Sequence, residues 1–271
     1  MTTKLLLAGC GKMGGALLEG WLQRGIQAGD VTIVEPNTDI RNSLSNNHGV
    51  NTCSTAQELP DDLAPNVVML AVKPQAMDDV APLYVRFKSP DCVFLSIAAG
   101  KTIEYFETRL GKEAAIVRSM PNTPAAVRRG ITVACSNAQT TPQQRETCDA
   151  LLQAVGSVEW VDDEGMIDAV TALSGGGPAY VFLLVECMAQ AGIDAGLPDG
   201  LAMKLARETV AGSGELLHQA SEEAAILRQN VTSPGGTTAE ALRVLMAEDG
   251  WQPLVSKAIA AASARSRELA G

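Results

Sequence analysis

The sequence predicts an α/β fold in which a doubly wound, mostly parallel sheet is followed by an all-helical domain. Three observations carry this. Up to Asp163, short apolar runs bounded by Gly, Pro and Asn alternate with amphipathic segments, the pattern of buried strands separated by helices. A glycine motif, AGCGKMGGAL, stands directly after the first run. Beyond Asp163 the strand-like runs stop, and Ala, Leu, Glu, Arg and Met fill stretches such as LAMKLARETVAGSGELLHQA and KAIAAASARSRELA. The expected division is therefore 1–163 for the sheet domain and 164–271 for the helical one. With no repeat and no low-complexity linker, the junction reads as a rigid connection.

The strand candidates are LLLA at 5–8, VTIV at 31–34, VVMLAV at 67–72, CVFLSIA at 92–98, AIVRSM at 115–120, ITVAC at 131–135 and SVEWV at 157–161. A chain of 271 residues is long enough to bury a sizeable core. Its net charge of −10, with no basic block, argues against nucleic acid or an anionic membrane surface as a partner. The six cysteines form no CxxC pair and His48 and His218 are isolated, so no metal site is expected and the thiols read as reduced, in a cytoplasmic chain. The leading apolar run is too short for a signal segment. The most apolar later stretch, AYVFLLVECMAQAGI, is interrupted by Glu186 and Gln190, so no membrane span is expected.

Gly9, Gly11 and Gly14 form GxGxxG between a strand and an apparent helix, the setting in which this motif binds a dinucleotide. One glycine makes the tight turn, the next lets the backbone approach a pyrophosphate, and the third lets helix and strand pack closely. The helix start then favours the negative charge. Cys10, Lys12 and Met13 complete the candidate cofactor turn. Glu35 ends the second run, where a carboxylate can accept from the hydroxyls of an adenosine ribose. A surface carboxylate in a Glu-Pro-Asn turn is the plainer alternative. If Glu35 points into the site it disfavours a 2′-phosphate; if Pro36 turns it to solvent, Asn37 and nearby backbone donors are left to bind that group.

Ala71, Val72, Lys73 and Pro74 follow one strand, and Ala98 and Ala99 follow another, where the carboxyl ends of a doubly wound sheet hold ligands. Lys73 suits phosphate, ribose or plain solvent. Met120 and Asn122 lie in RSMPNTPAAVRRG, a shaped loop that suits either the nicotinamide end of a cleft or an ordinary crossover. In the helical half, QNVTSPGGTTAEAL at 229–242 has the residues of a loop with a Thr237–Glu240 capping box.

AVKPQ, MPNTP, LSGGGPAYVF and NVTSPGGTT, in this order over essentially the whole chain, resemble pyrroline-5-carboxylate reductase. The resemblance implies a Rossmann-type domain, a helical dimerisation domain interleaved between subunits, larger assemblies of such dimers, NADPH or NADH as cofactor and 1-pyrroline-5-carboxylate as substrate. There are two departures. Ser174-Gly175-Gly176-Gly177-Pro178 replaces the more frequent Ser-Gly-Ser-Gly-Pro. Glu35-Pro36-Asn37 stands where the family often has Ser, Asn or Arg, which leaves the choice between NADH and NADPH open. Within NVTSPGGTT, the substrate's carboxylate needs donors, and Ser233, the amides of Gly235 and Gly236, Thr237 and Thr238 supply them at a helix start. Asn230 and Val231 complete the candidate substrate loop. By resemblance, Thr238 lies nearest the imine nitrogen and is the candidate catalytic residue.

Proton accounting separates two enzyme classes. A two-domain dehydrogenase of the β-hydroxyacid type reduces a carbonyl and needs a general acid, commonly a Lys on the interdomain helix. Between Asp168 and Gly196 this chain has no Lys, Arg or His. A protonated imine already carries its proton, so hydride addition yields a neutral amine without a strong acid. A non-catalytic NAD(P) sensor is the reading from outside enzymology, and turnover with reduced nicotinamide would exclude it.

Overall fold

The structure, a computed structural model, describes residues 3–270. Its strands are β1 (Leu5–Ala8), β2 (Val31–Val34), β3 (Asn51–Cys53), β4 (Val67–Leu70), β5 (Val93–Ser96), β6 (Ala115–Met120), β7 (Gly130–Ser136) and β8 (Gly156–Trp160). They form one sheet in the order β3-β2-β1-β4-β5-β6-β7-β8. Pairing is parallel from β3 through β6. β7 runs antiparallel to β6, and β8 runs parallel to β7. The chain reverses its winding between β1 and β4, and in such sheets ligands bind at that point, beyond the strand ends.

Side-chain alternation along fully buried strands explains the two-faced core. Leu5, Leu7, Ile33, Met69, Leu95 and Val117 face one layer, where they meet Leu17, Leu18 and Trp21 of α1 (Lys12–Gln23) and Leu151 and Leu152 of α5 (Pro142–Leu152). Leu6, Ala8, Val68, Leu70, Phe94 and Ile116 face the other, with Met77, Tyr84, Phe87, Phe106 and Leu110. The latter come from α3 (Met77–Val80), a following 3-10 turn and α4 (Ile103–Leu110), while α2 (Thr38–His48) joins β2 to β3. α1 lies tightly on its neighbour: a Cβ on Gly20 would come within 2.6 Å of the Ala154 carbonyl oxygen, and Trp21 donates to the Leu151 carbonyl at 2.9 Å.

Beyond β8 the described residues are helical: α6 (Met166–Val170), α7 (Gly177–Asp194), α8 (Asp199–Gln219), α9 (Ala224–Asn230), α10 (Thr237–Leu245) and α11 (Trp251–Ala270). A π turn at Thr171–Gly175 joins α6 to α7. α7 packs on α8 through small residues, with the Cβ position of Gly192 3.2 Å from that of Ala202. The chain divides into two compact units, one running to Gly175 and resuming at Ser263, the other Gly176–Ala262. The change of texture at Asp163 thus falls upstream of the division in contacts.

The helical run Met166–Asp194 is long and apolar enough to cross a membrane by length and composition, with mean hydropathy 1.3. Glu186 and Gln190 do not bring it below that measure. Val181, Phe182 and Leu183 of α7 and Leu201, Leu205 and Leu216 of α8 are exposed on the single chain.

Two attachments tie the ends of the first unit together. Arg118 on β6 is buried, and its guanidinium donates to Glu164 Oε1 at 2.6 Å, an oxygen that also accepts from the Ile103 amide at 2.8 Å. One carboxylate thereby joins the sheet, the start of α4 and the segment entering α6. The end of α11 is anchored by Ser266, whose hydroxyl donates to Asp168 Oδ1 at 2.6 Å; Ser263 and Ser266 are both buried. The Leu269 carbonyl oxygen stands 3.2 Å from the Cβ position of Gly100, in the turn after β5.

Candidate active site

The first unit gathers every candidate cofactor residue at the carboxyl ends of β1, β2, β4, β5 and β6. Gly9 leaves β1 at φ +84, and its Cβ position lies 2.8 Å from Val72 Cγ1, so both conformation and the AVKPQ loop require glycine there. At Gly14 a Cβ would sit 2.8 Å from the Gly9 carbonyl oxygen and 3.6 Å from the Ala71 methyl, which is the close helix-to-strand contact expected of the third glycine. Gly11 differs from both: its φ is −70 and, apart from its own chain neighbours, nothing lies within 4 Å of its Cβ position. Protein packing does not ask for glycine at Gly11, whereas a pyrophosphate approaching the turn does. Gly11 is the N-cap of α1, with no side-chain cap and no acidic residue in the first turn. The leading amides of α1 are thus free for an anion, and Lys12 beside them is exposed. Met13 packs partly buried against the core. Burial, aided by Glu35 and Glu19, pushes the Cys10 thiol up to about 12, so it stays a neutral thiol at pH 7.

Glu35 neither faces solvent nor stands open to the site. It is 8% exposed; its Oε2 accepts from the Cys10 amide at 2.9 Å, and its Oε1 from the Asn37 amide at 3.0 Å. Asn37 caps α2 by accepting from the Ile40 amide. Arg41, the first Arg after Glu35 in sequence and one turn along α2, had no role assigned from the sequence. Its guanidinium curls back to the carbonyls of Glu35 and Pro36 at 2.8 and 2.7 Å and donates to the Thr38 hydroxyl at 3.1 Å, so a cation closes the second strand end. The signal for it was an Arg in the first turns of the helix after an acidic strand end.

Lys73 is exposed at the head of the 3-10 turn Pro74–Ala76. Ala98 is buried, its amide donating to the Ser96 hydroxyl at 3.2 Å, while Ala99 is exposed. Ser119 donates to the Ser96 carbonyl and fixes the ends of β5 and β6 together. Asn122 Oδ1 accepts from the Ile131 amide at 2.9 Å, closing the loop between β6 and β7. Met120 ends β6 with its Cε 2.5 Å from the Cβ position of Gly175, so a larger residue in the π turn would make the tip of that methionine shift.

The candidate substrate loop belongs to the second unit and is described by itself. Asn230 ends α9, Val231 is exposed, and a turn closed by the Gly236 amide on the Ser233 carbonyl, with Gly235 at φ +70, leads into α10. The expected Thr237–Glu240 capping box is absent. Gly236 is the N-cap with no side-chain cap, its amide is already satisfied, and Glu240 accepts from Arg243 at 3.0 Å. Thr237 and Thr238 therefore occupy the first turn. The hydroxyls of Ser233, Thr237 and Thr238 are exposed and bond to nothing else among the described residues, and the leading amides of α10 are uncapped. These hydroxyls and uncapped amides, without a fixed positive charge, suit a small carboxylate with a neighbouring polar nitrogen. Among the described residues no group of His, Cys, Asp and Glu could hold a metal ion.

Residues 164–269 match the pyrroline-5-carboxylate reductase dimerisation family, and residues 4–100 match the family described as NADP oxidoreductase, coenzyme F420-dependent. The chain is 39% identical to pyrroline-5-carboxylate reductase of Pseudomonas aeruginosa, covering 99% of this chain and 97% of that protein. Its fold is similar to the solved pyrroline-5-carboxylate reductase of Coxiella burnetii, with TM-score 0.93, 33% identity and all of both chains covered. It is also similar to Plasmodium falciparum pyrroline carboxylate reductase solved with NADP bound, with TM-score 0.82, 30% identity and coverage of 99% of this chain and 98% of that one.

Proposed function

The chain belongs to the pyrroline-5-carboxylate reductase family, and on that premise we propose how its residues divide the NAD(P)H-dependent reduction of 1-pyrroline-5-carboxylate to L-proline, the last step of proline biosynthesis. When bound, the reduced nicotinamide supplies the hydride that adds to the imine carbon. The turn Gly9–Gly14 holds the pyrophosphate on the uncapped start of α1. Glu35 and Asn37 order the adenosine end, Ala71–Pro74 and Ala98–Ala99 line the floor, and Met120 and Asn122 bound the nicotinamide end. Asn230, Val231, Ser233, Gly235, Gly236 and Thr237 receive the substrate, its carboxylate taking the free donors of the α10 start. Thr238 hydrogen-bonds the ring nitrogen and orients the imine. No acid is assigned, because a protonated imine needs none and Asp168–Gly196 offers no Lys, Arg or His.

The observation that carries this reading is the start of α10, where three unpaired hydroxyls and uncapped amides meet at a left-handed glycine. Sheet domain 1–163 and helical domain 164–271 are the functional division. The dimerisation match and the exposed apolar faces of α7 and α8 support self-association. The cytoplasm is the proposed location, in keeping with six free cysteines. Loss of reduced-nicotinamide absorbance on adding pyrroline-5-carboxylate, with NADH and NADPH side by side, tests the reading. Absence of turnover with both would leave the sensor reading standing.

Thr238→Ala is expected to lower kcat/KM by the equivalent of about 0.5–3 kcal/mol while cofactor affinity stays near wild type. A fall in cofactor affinity with turnover unchanged would remove Thr238 from its role. Gly11→Ala makes a complementary case. Because its Cβ position is open within the protein, thermal stability should shift little, whereas affinity for either nucleotide should fall at least about tenfold. Unaltered affinity, measured by fluorescence titration, would place the pyrophosphate elsewhere.

A further inference from the structure

A buried carboxylate that holds two backbone amides on different elements does mechanical work on both. Glu35 ends β2; through Oε2 it fixes Cys10, inside the glycine turn, and through Oε1 it fixes Asn37, the cap of α2. The backbone around it is tied as well: the Glu35 amide donates to the Cys53 carbonyl on β3 at 3.0 Å, and the Gly9 amide donates to the Val34 carbonyl at 2.8 Å. The Glu35 carbonyl in turn accepts from Arg41. One side chain therefore sets the distance between the turn that would hold the pyrophosphate and the helix start that would border the adenosine. We propose that Glu35 is a positioning residue that locks these two segments in register for the dinucleotide, and that its charge does not choose between NADH and NADPH. This rests on the cofactor reading given above.

The geometry distinguishes this role from direct discrimination. A carboxylate aimed at the ribose would bind NADH and repel the roughly doubly negative 2′-phosphate of NADPH, so removing its charge would weaken NADH binding and strengthen NADPH binding. A clamp behaves differently. In Glu35→Gln the amide group offers one acceptor oxygen to two amide donors, leaving one of them facing another donor. In Glu35→Asp the charge remains but the side chain is one methylene short of spanning both.

The test is titration of NADH and NADPH separately into wild type, Glu35→Gln and Glu35→Asp, with circular dichroism confirming that each variant is folded at the titration temperature. The expected result is a rise of about tenfold in Kd for both nucleotides in both variants, with the NADH to NADPH ratio held within about twofold of wild type. A purely structural residue would lower Tm without raising either Kd. Opposite movement of the two Kd values in Glu35→Gln overturns the proposal, as do unchanged Kd values in Glu35→Asp, which decides the matter alone if Glu35→Gln does not fold. Failure of wild type to bind either nucleotide would overturn the cofactor reading and this proposal together; binding by wild type with no effect in the variants would overturn the proposal only.

Discussion

Glu164→Ala is expected to destabilise the protein by about 3–5 kcal/mol, because it leaves the Arg118 guanidinium buried without its counter-charge. The Ile103 amide loses its acceptor in the same step. For a domain of this size each kcal/mol moves Tm by roughly 2–4 °C, so a fall on the order of 10 °C should appear in thermal melts at fixed protein concentration. Arg118→Met is the control: it removes the buried charge and fills a similar volume, so its effect should be clearly smaller than that of Glu164→Ala. Equal melts for wild type and Glu164→Ala would mean that solvent or another group takes over the pairing.

Deleting residues 251–271 should have a larger effect still, giving aggregated or unfolded protein. Trp251, Leu254 and Val255 of α11 are exposed on the single chain, as are Val181, Phe182 and Leu183 of α7. Faces of this kind are covered by partners in a self-associating protein, and losing part of the surface leaves the rest without cover. The deletion also removes Ser263 and Ser266, and with them the bond to Asp168 and the contact at Gly100. Size-exclusion chromatography with light scattering decides the matter. A soluble, active monomer after deletion would show that α11 is dispensable.

The legible parts of the fold were those governed by side-chain pattern. The runs LLLA, VTIV and AIVRSM became β1, β2 and β6 with the expected limits, since burial on both faces favours mostly apolar residues, with Thr32, Arg118 and Ser119 as buried polar exceptions. β3, Asn51–Cys53, escaped notice because NTC is short and polar and is held by its pairing with β2, not by a core-facing pattern. The reversal of β7 could not be read from ITVAC, because strand direction depends on the length and path of the preceding loop. At the site, the glycine spacing was readable since Gly9 and Gly14 answer local steric demands of the turn, while Gly11 is the position that a pyrophosphate would approach. The destination of the Glu35 carboxylate was not: the Cys10 amide is distant in sequence, and only the pairing of β1 with β2 brings it within reach. The Thr237–Glu240 box failed for a related reason. A fitting spacing does not fix which residue leaves the helix, and Gly236 took the cap position once its amide had closed on Ser233.

The return of the chain from Ser263 into the unit that holds the sheet bears on how the protein is made. A ribosome delivers the sheet strands before this segment, so the seat formed by Asp168 and Gly100 stays vacant until Ser266 and Leu269 emerge. The unit that holds the sheet thus cannot reach its final packing as an independent nascent domain, since its closing piece follows the whole of the second unit in the chain. Maturation of the first unit therefore waits until the whole of the second unit has been synthesised.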